Sequence, residues 1–108
     1  MTSFTIVTIT FNAASALPRT LESVLAQSHP AIEHIIVDGA SADGTVSLAE
    51  DYKRRSDAAA NGHAVTITSE PDRGLYDAMN KGLARATGDY VCFLNAGDFL
   101  PSPGTIAG

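Results

Sequence analysis

Apolar residues in this chain fall into short β-branched runs separated by stretches that repeat every three to four positions. That alternation predicts strands interleaved with amphipathic helices. Residues 4–11, Phe-Thr-Ile-Val-Thr-Ile-Thr-Phe, read as a strand that ends at Asn12. Between residues 15 and 27, Leu17, Leu21, Val24 and Leu25 share one helical face. Ser15 is the expected cap there, and Pro18 comes early enough to cost no hydrogen bond. Residues 32–37 form a second strand whose near-continuous apolar end suits a sheet covered on both faces. Turn formers fill residues 38–45, where Ser41 or Asp43 can cap a second helix with Val46, Leu48, Ala49 and Tyr52 on its inner side. Residues 56–63 read as a polar connector, 64–69 as a third strand and 70–74 as a tight loop. A third helix over 75–87 carries Leu75, Met79 and Leu83 on one side, Gly88 stops it, and 90–94 make a fourth strand.

Strand and helix alternating in this order, with connections long enough for right-handed crossovers, specify an α/β fold. The expected architecture is a doubly wound, Rossmann-like parallel sheet in the order 3-2-1-4. In such a sheet the carboxyl ends of the strands share one edge, where ligands bind. Asn12, Asp38, Glu70, Asp72, Asn95 and Asp98 all follow strands and would meet there. After Asp98 the chain stops where another helix is expected to start, which leaves the fourth strand as an open edge. Residues 1–108 are accordingly expected to be the first half of a longer domain.

Composition narrows the functions open to this sheet. A chain of 108 residues with 44% hydrophobic content can bury a single core. Net charge is −5 with a pI near 4.9, and the basic residues are scattered apart from Lys53-Arg54-Arg55. No stripe could therefore neutralise a nucleic-acid backbone. The single cysteine, Cys92, has no intrachain partner and reads as a small buried hydrophobe in a reducing compartment. Neither a leader pattern nor a run of eighteen apolar residues is present, so a cytoplasmic location is expected. His29, His34 and His63 lack metal-ligand spacing.

The loops also restrict how phosphate could be held. The first strand-to-helix turn, Asn12-Ala13-Ala14-Ser15, contains no glycine, which excludes a dinucleotide fingerprint. Gly39 and Gly44 have the spacing of a Walker loop, but Thr45 and Val46 stand where a lysine and a hydroxyl residue are needed. A diphosphate beside acidic loops needs positive charge from elsewhere, and a divalent cation on Asp98 is the simplest source.

Four segments taken in order carry a resemblance. Ile9-Thr10-Phe11-Asn12, then residues 35–45 ending Ser41-Ala42-Asp43-Gly44-Thr45, then 69–82 with Glu70-Pro71-Asp72-Arg73-Gly74, then 86–98 with Asn95-Ala96-Gly97-Asp98, together resemble the nucleotide-binding half of family 2 glycosyltransferases of the GT-A fold. The resemblance implies an inverting, metal-dependent transfer of a sugar from a nucleotide diphosphate donor, in the first place a UDP-sugar, to an acceptor hydroxyl in surface polysaccharide synthesis. Thr10, Phe11 and Asn12 then meet the nucleoside. Asp38 accepts a hydrogen bond from the base, and Asp72 and Arg73 lie beside base and diphosphate. Asn95 and Asp98 occupy the place of the Asp-x-Asp motif, with Asp98 the carboxylate that carries Mg²⁺ or Mn²⁺. Many relatives have a further Asp where this chain has Gly97, so the metal site is expected to be empty without substrate.

The catalytic base is expected downstream of residue 108, so no turnover is expected of this polypeptide alone. The implied partners are the donor and a saccharide or lipid-linked acceptor. Peripheral association with the inner face of the membrane and pairing of copies through the open edge are further expectations. Blander roles stand beside these. Asp38 could cap the turn at Gly39, Asp43 reads as a helix cap, Asp72 and Arg73 could be a solvated pair, and Asp98 could cap a following helix. A non-catalytic nucleotide-sugar binding or interaction module is the main alternative. A phosphoacceptor receiver domain would need an acidic pair where Asn12 stands.

Overall fold

The computed structural model describes residues 2–71, 74–101 and 104–105. The elements are β1 (Phe4–Thr10), α1 (Leu17–Leu25), β2 (Ile32–Asp38), α2 (Thr45–Ala59), β3 (Ala64–Ser69), α3 (Leu75–Arg85) and β4 (Tyr90–Phe93). The strands pair in parallel in the order β3-β2-β1-β4, as the alternation predicts. Strands β1 to β3 step outward in one direction, and β4 then returns to the far side of β1. The order therefore reverses between β1 and β4, where a crevice for ligand is expected at the carboxyl ends.

Register explains the two faces. Val7 lies opposite Ile35 on one side and Phe93 on the other, and Ile6 is matched to His34 and Cys92. Successive side chains alternate between faces, so Ile6, Ile32 and Ile36 meet Leu17, Leu21 and Val24 of α1 and Ala49 and Tyr52 of α2. Val7, Ile35 and Val37 meet Ala78 of α3 on the opposite face. Helix α3 can lie close because Gly82 has no side chain; a Cβ there would sit 2.5 Å from Val7 Cγ1. A polar chain crosses the larger core, with Thr8 Oγ1 2.7 Å from His34 Nε2 and the Tyr52 hydroxyl 2.7 Å from His34 Nδ1. His34 is 0% exposed, and burial, aided by His63, pushes its pKa down to about 3.

Three expectations are corrected by the structure. Helix α1 begins at Leu17, with Ala16 rather than Ser15 as its first boundary residue. The amides of Asn12, Ala13 and Ala14 are taken by side chains of the next loop, which holds residues 12–16 out of the helix. Helix α2 continues through Ser56 to Ala59, because Ser56 extends the buried row Thr45, Ala49, Tyr52 at helical spacing. Cys92 is exposed, not buried, because all four residues of β4 lie on an edge strand with one neighbour.

The amino-terminal edge of the sheet is laced shut. The Glu33 carboxylate accepts hydrogen bonds from the Thr5 hydroxyl and from the Thr87 amide and hydroxyl, while Thr5 Oγ1 accepts from Gly88 N. A hollow of about 200 Å³ lies at that edge between Phe4, Glu33 and Gly88, far from the strand-end loops.

Candidate functional site

At the carboxyl edge, the loops after β1 and β2 are joined by side-chain to backbone bonds. Asp38 ends β2 opposite Thr10 and Ser69, the last residues of its two neighbours. Its carboxylate is 1% exposed. One oxygen accepts from Thr10 Oγ1 (2.7 Å) and Ser41 Oγ (2.5 Å), the other from Ser41 N and Ser69 Oγ (both 2.8 Å). Burial pushes this carboxyl up, but the bonds from Ser41, Thr10 and Ser69 outweigh it and hold the group below the usual carboxylate range. Thr10 and Asp38 thus lie beneath the loops, with their polar atoms engaged inside the protein. A hydrogen bond from a nucleotide base to Asp38 would have to displace one of these donors.

Ser41 then carries the link outward. Asn12 N donates to Ser41 Oγ (2.8 Å), and Ala42 N donates to Asn12 Oδ1 (2.8 Å). Ala13 N donates to Thr45 Oγ1 (2.9 Å) and Ala14 N to Asp43 Oδ2 (3.2 Å). Asp43 also accepts from the Thr45 amide and hydroxyl, and the Thr45 hydroxyl holds its carboxyl below the ordinary value. Asp43 is therefore a turn and loop clasp in front of α2. Asn12 adopts φ +47°, a region that asparagine tolerates well. Beside it the Phe11 ring is 65% exposed above the sheet edge.

The second cluster follows β4. Residues 95–98 form a turn in which Asp98 N donates to Asn95 O (2.9 Å) and Gly97 adopts φ +100°. That backbone favours glycine, which accounts for Gly97 where a second carboxylate would otherwise be expected. The turn rests on α1 through the buried Thr20 hydroxyl, which accepts from Gly97 N (2.8 Å) and donates to Asp98 O (2.6 Å). The side chains of Asn95 and Asp98 stay exposed. A hollow of about 230 Å³ bounded by Ile9, Met79, Phe93 and Asn95 opens at this end of β1 and β4.

The third loop is held from α3. Lys81 Nζ lies 3.3 Å from Glu70 Oε1 and 3.4 Å from Asp77 Oδ2, and donates to Pro71 O (3.1 Å). Glu70 N donates to Asp38 O (3.0 Å). Asp72 and Arg73, the expected phosphate-side pair, lie outside the described residues. Of the other expected site residues, Asn12 and Asp38 meet through Ser41, and Asn95 and Asp98 share one turn on the adjoining strand.

Ser41 is legible in the sequence as a turn former and candidate cap, but its bonds to Asp38 and Asn12 are not, nor is that of Thr45 to Ala13 N. Ser69 and Thr20 read as an ordinary strand-end and an ordinary helical polar residue and carry no signal.

Among the described residues no three His, Cys, Asp or Glu side chains gather to hold a metal ion. Asp98 and Asn95 nevertheless offer exposed oxygen donors on a fixed turn. Such a sparse set fits a hard cation that keeps most of its shell as water and phosphate oxygen.

Residues 5–107 match Glycosyl transferase family 2. The chain belongs to this family. An uncharacterized glycosyltransferase of Mycobacterium tuberculosis is 41% identical over 103 residues, covering 94% of this chain and 36% of that protein. The putative teichuronic acid biosynthesis glycosyltransferase TuaG of Bacillus subtilis is 40% identical over 93 residues, covering 86% and 35%. The family 2 chain thus spans little more than a third of the curated relatives it matches. Among solved structures, a mannosyltransferase of Pyrobaculum calidifontis in complex with GDP-Man and Mn²⁺ superposes with a TM-score of 0.81 at 32% identity, over 96% of this chain and 30% of that one. S. aureus TarS in complex with UDP-GlcNAc superposes with the same TM-score at 24% identity, over 97% and 29%, and shares the fold.

Proposed function

We propose that this chain binds the nucleotide diphosphate of a sugar donor across the carboxyl ends of β1 and β4. It would serve as the donor-binding part of an inverting glycosyltransferase that passes the sugar to an acceptor hydroxyl. One observation carries this: exposed Phe11, Asn12, Asn95 and Asp98 stand on loops whose backbones are tied down, at the point where strand order reverses. Ligand-binding side chains held on a fixed support lose little entropy when they engage a ligand.

In this reading Phe11 packs against the base and Asn12 offers its amide at the nucleoside. Thr10 and Asp38 support that rim from below, and Arg73 contributes charge from the β3 loop. Asp98, with Asn95 beside it, would hold Mg²⁺ or Mn²⁺, and a cation there would neutralise charge on the departing diphosphate. The Mn²⁺ and GDP-Man in the 32% identical mannosyltransferase support such a donor. A uracil base is favoured only if Asp38 accepts its N–H. With both Asp38 oxygens engaged, UDP and GDP become alternatives for titration to decide.

Relatives described as acting in PGL/p-HBAD biosynthesis, 38% identical, and in teichuronic acid biosynthesis support a saccharide or lipid-linked acceptor. We place that synthesis at the cytoplasmic face of a membrane, as the family resemblance implies; among the described residues no helix is long and apolar enough to cross one. Donor binding is proposed for this chain and sugar transfer for the whole protein, with the proton-accepting base outside residues 1–108.

Calorimetric titration with UDP and GDP tests the donor site. We expect one nucleotide to bind with Mn²⁺ and to weaken about tenfold or more in EDTA, a change of about 1.4 kcal/mol or more. D98N should lose that metal-dependent gain while its metal-free affinity stays unchanged. Failure of both nucleotides to bind in the presence of Mn²⁺ would remove the proposal, and binding without a metal effect would leave a plain nucleotide-binding module.

A further inference from the structure

Two hydroxyl groups on α1 perform a task that neither the helix nor the core requires. Thr20 is 0% exposed in the middle of α1, where a buried threonine commonly returns its hydroxyl to a carbonyl of the preceding turn. Here the hydroxyl leaves the helix. It donates to Asp98 O at 2.6 Å and accepts from Gly97 N at 2.8 Å; Asn95 O, at 3.4 Å, is a weaker third contact. One turn on, Ser23 Oγ accepts from Leu100 N at 3.1 Å and donates to Thr20 O at 2.8 Å. The Arg19 guanidinium lies 3.8 Å from the centre of the Phe99 ring, while Leu94, Ala96 and Leu100 pack on the α1 core. Residues 94–100 are thus bound to one strip of α1 by backbone hydrogen bonds to Thr20 and Ser23 as well as by side-chain packing.

We infer that Thr20 and Ser23 are positioning residues for the metal-binding turn, fixing where the Asp98 carboxylate stands for a cation and diphosphate. The inference rests on the donor-binding function proposed above. Its physical basis is a division of labour. The hydroxyls take up backbone groups of Gly97, Asp98 and Leu100, so the side chains of Asn95 and Asp98 are spared for ligand. A sparse metal site depends on placement, because a single carboxylate cannot correct a shifted turn by recruiting a neighbour. Valine at position 20 keeps the shape of threonine but leaves Gly97 N–H and Asp98 C=O without their partner, so the turn should move toward water.

The test compares wild type, T20V, T20S and S23A of this chain by calorimetry with UDP and GDP, with Mn²⁺ and in EDTA, and by amide hydrogen exchange without ligand. T20V should keep its metal-free affinity within about twofold while the Mn²⁺ enhancement falls about tenfold, equivalent to about 1.4 kcal/mol, and T20S should restore it. The Gly97 amide should exchange faster in T20V, and the Leu100 amide in S23A. Should T20V fail to fold, S23A carries the same comparison. Full Mn²⁺ enhancement with unchanged exchange in T20V would overturn the inference, as would an equal loss with and without metal. If wild type binds neither nucleotide, the donor function falls; unchanged Gly97 exchange in T20V would then show separately that Thr20 does not hold the turn.

Discussion

A buried carboxylate persists in a fold only when its lone pairs are occupied, and Asp38 meets that requirement with Thr10, Ser41 and Ser69. Each partner comes from a different segment, so the group joins β1, β2, β3 and the loop before α2. D38N would place an amide N–H2 against donors, and while hydroxyls can turn to accept, the Ser41 amide cannot. We expect a loss of about 2–3 kcal/mol in urea unfolding, with weaker nucleotide binding as a consequence of loop disorder. Retained stability with selectively weakened binding would instead mark Asp38 as a direct ligand. The residue was legible as an acidic strand end, but its work was not. Ser41 is close in sequence, whereas Thr10 and Ser69 reach it only through strand register.

At the scale of elements, the fit of α3 onto the sheet depends on one missing side chain. A methyl group at Gly82 would meet Val7 Cγ1 at 2.5 Å in the centre of β1, so G82A must shift either the helix or a core valine. The expected cost is about 1–3 kcal/mol, read as a lower midpoint in thermal or urea unfolding. An unchanged midpoint would mean that α3 is free to slide. An isolated glycine in a helical pattern signals close packing, which the approach of Gly82 to Val7 supplies. The start of α1 was not legible, because the competing hydrogen bonds come from Ser41, Thr45 and Asp43, about thirty residues along the chain. The length of α2 was misread for the opposite reason. Ser56 looks polar in the sequence, yet it continues a buried face and bonds to Asn61 Oδ1 at 3.4 Å.

For the molecule as a whole, the buried chain Thr8, His34, Tyr52 links stability to pH. Folding holds His34 neutral down to about pH 3, whereas the unfolded histidine takes a proton near 6.5. Between these values the unfolded state binds more protons, so stability falls as pH drops from 6.5 toward 3, at about 1.4 kcal/mol per pH unit at its steepest. Asp38, whose carboxyl is held below its ordinary value, adds a loss only below about pH 4. Urea midpoints measured from pH 7 to 4 should decline, and H34Q should flatten that slope; a flat wild-type profile would show that His34 can ionise in place. The order of strands and helices, the strand order and the edge on which the strand-end polar residues gather were determined by the sequence itself, since periodicity, turn formers and crossover handedness act locally or by general rule. What only the tertiary structure decided was which polar groups stay exposed at that edge and which bond to each other. Thr10, Asp38 and Thr20 are spent on partners up to 78 residues away, a pairing set by three-dimensional register that no local pattern encodes.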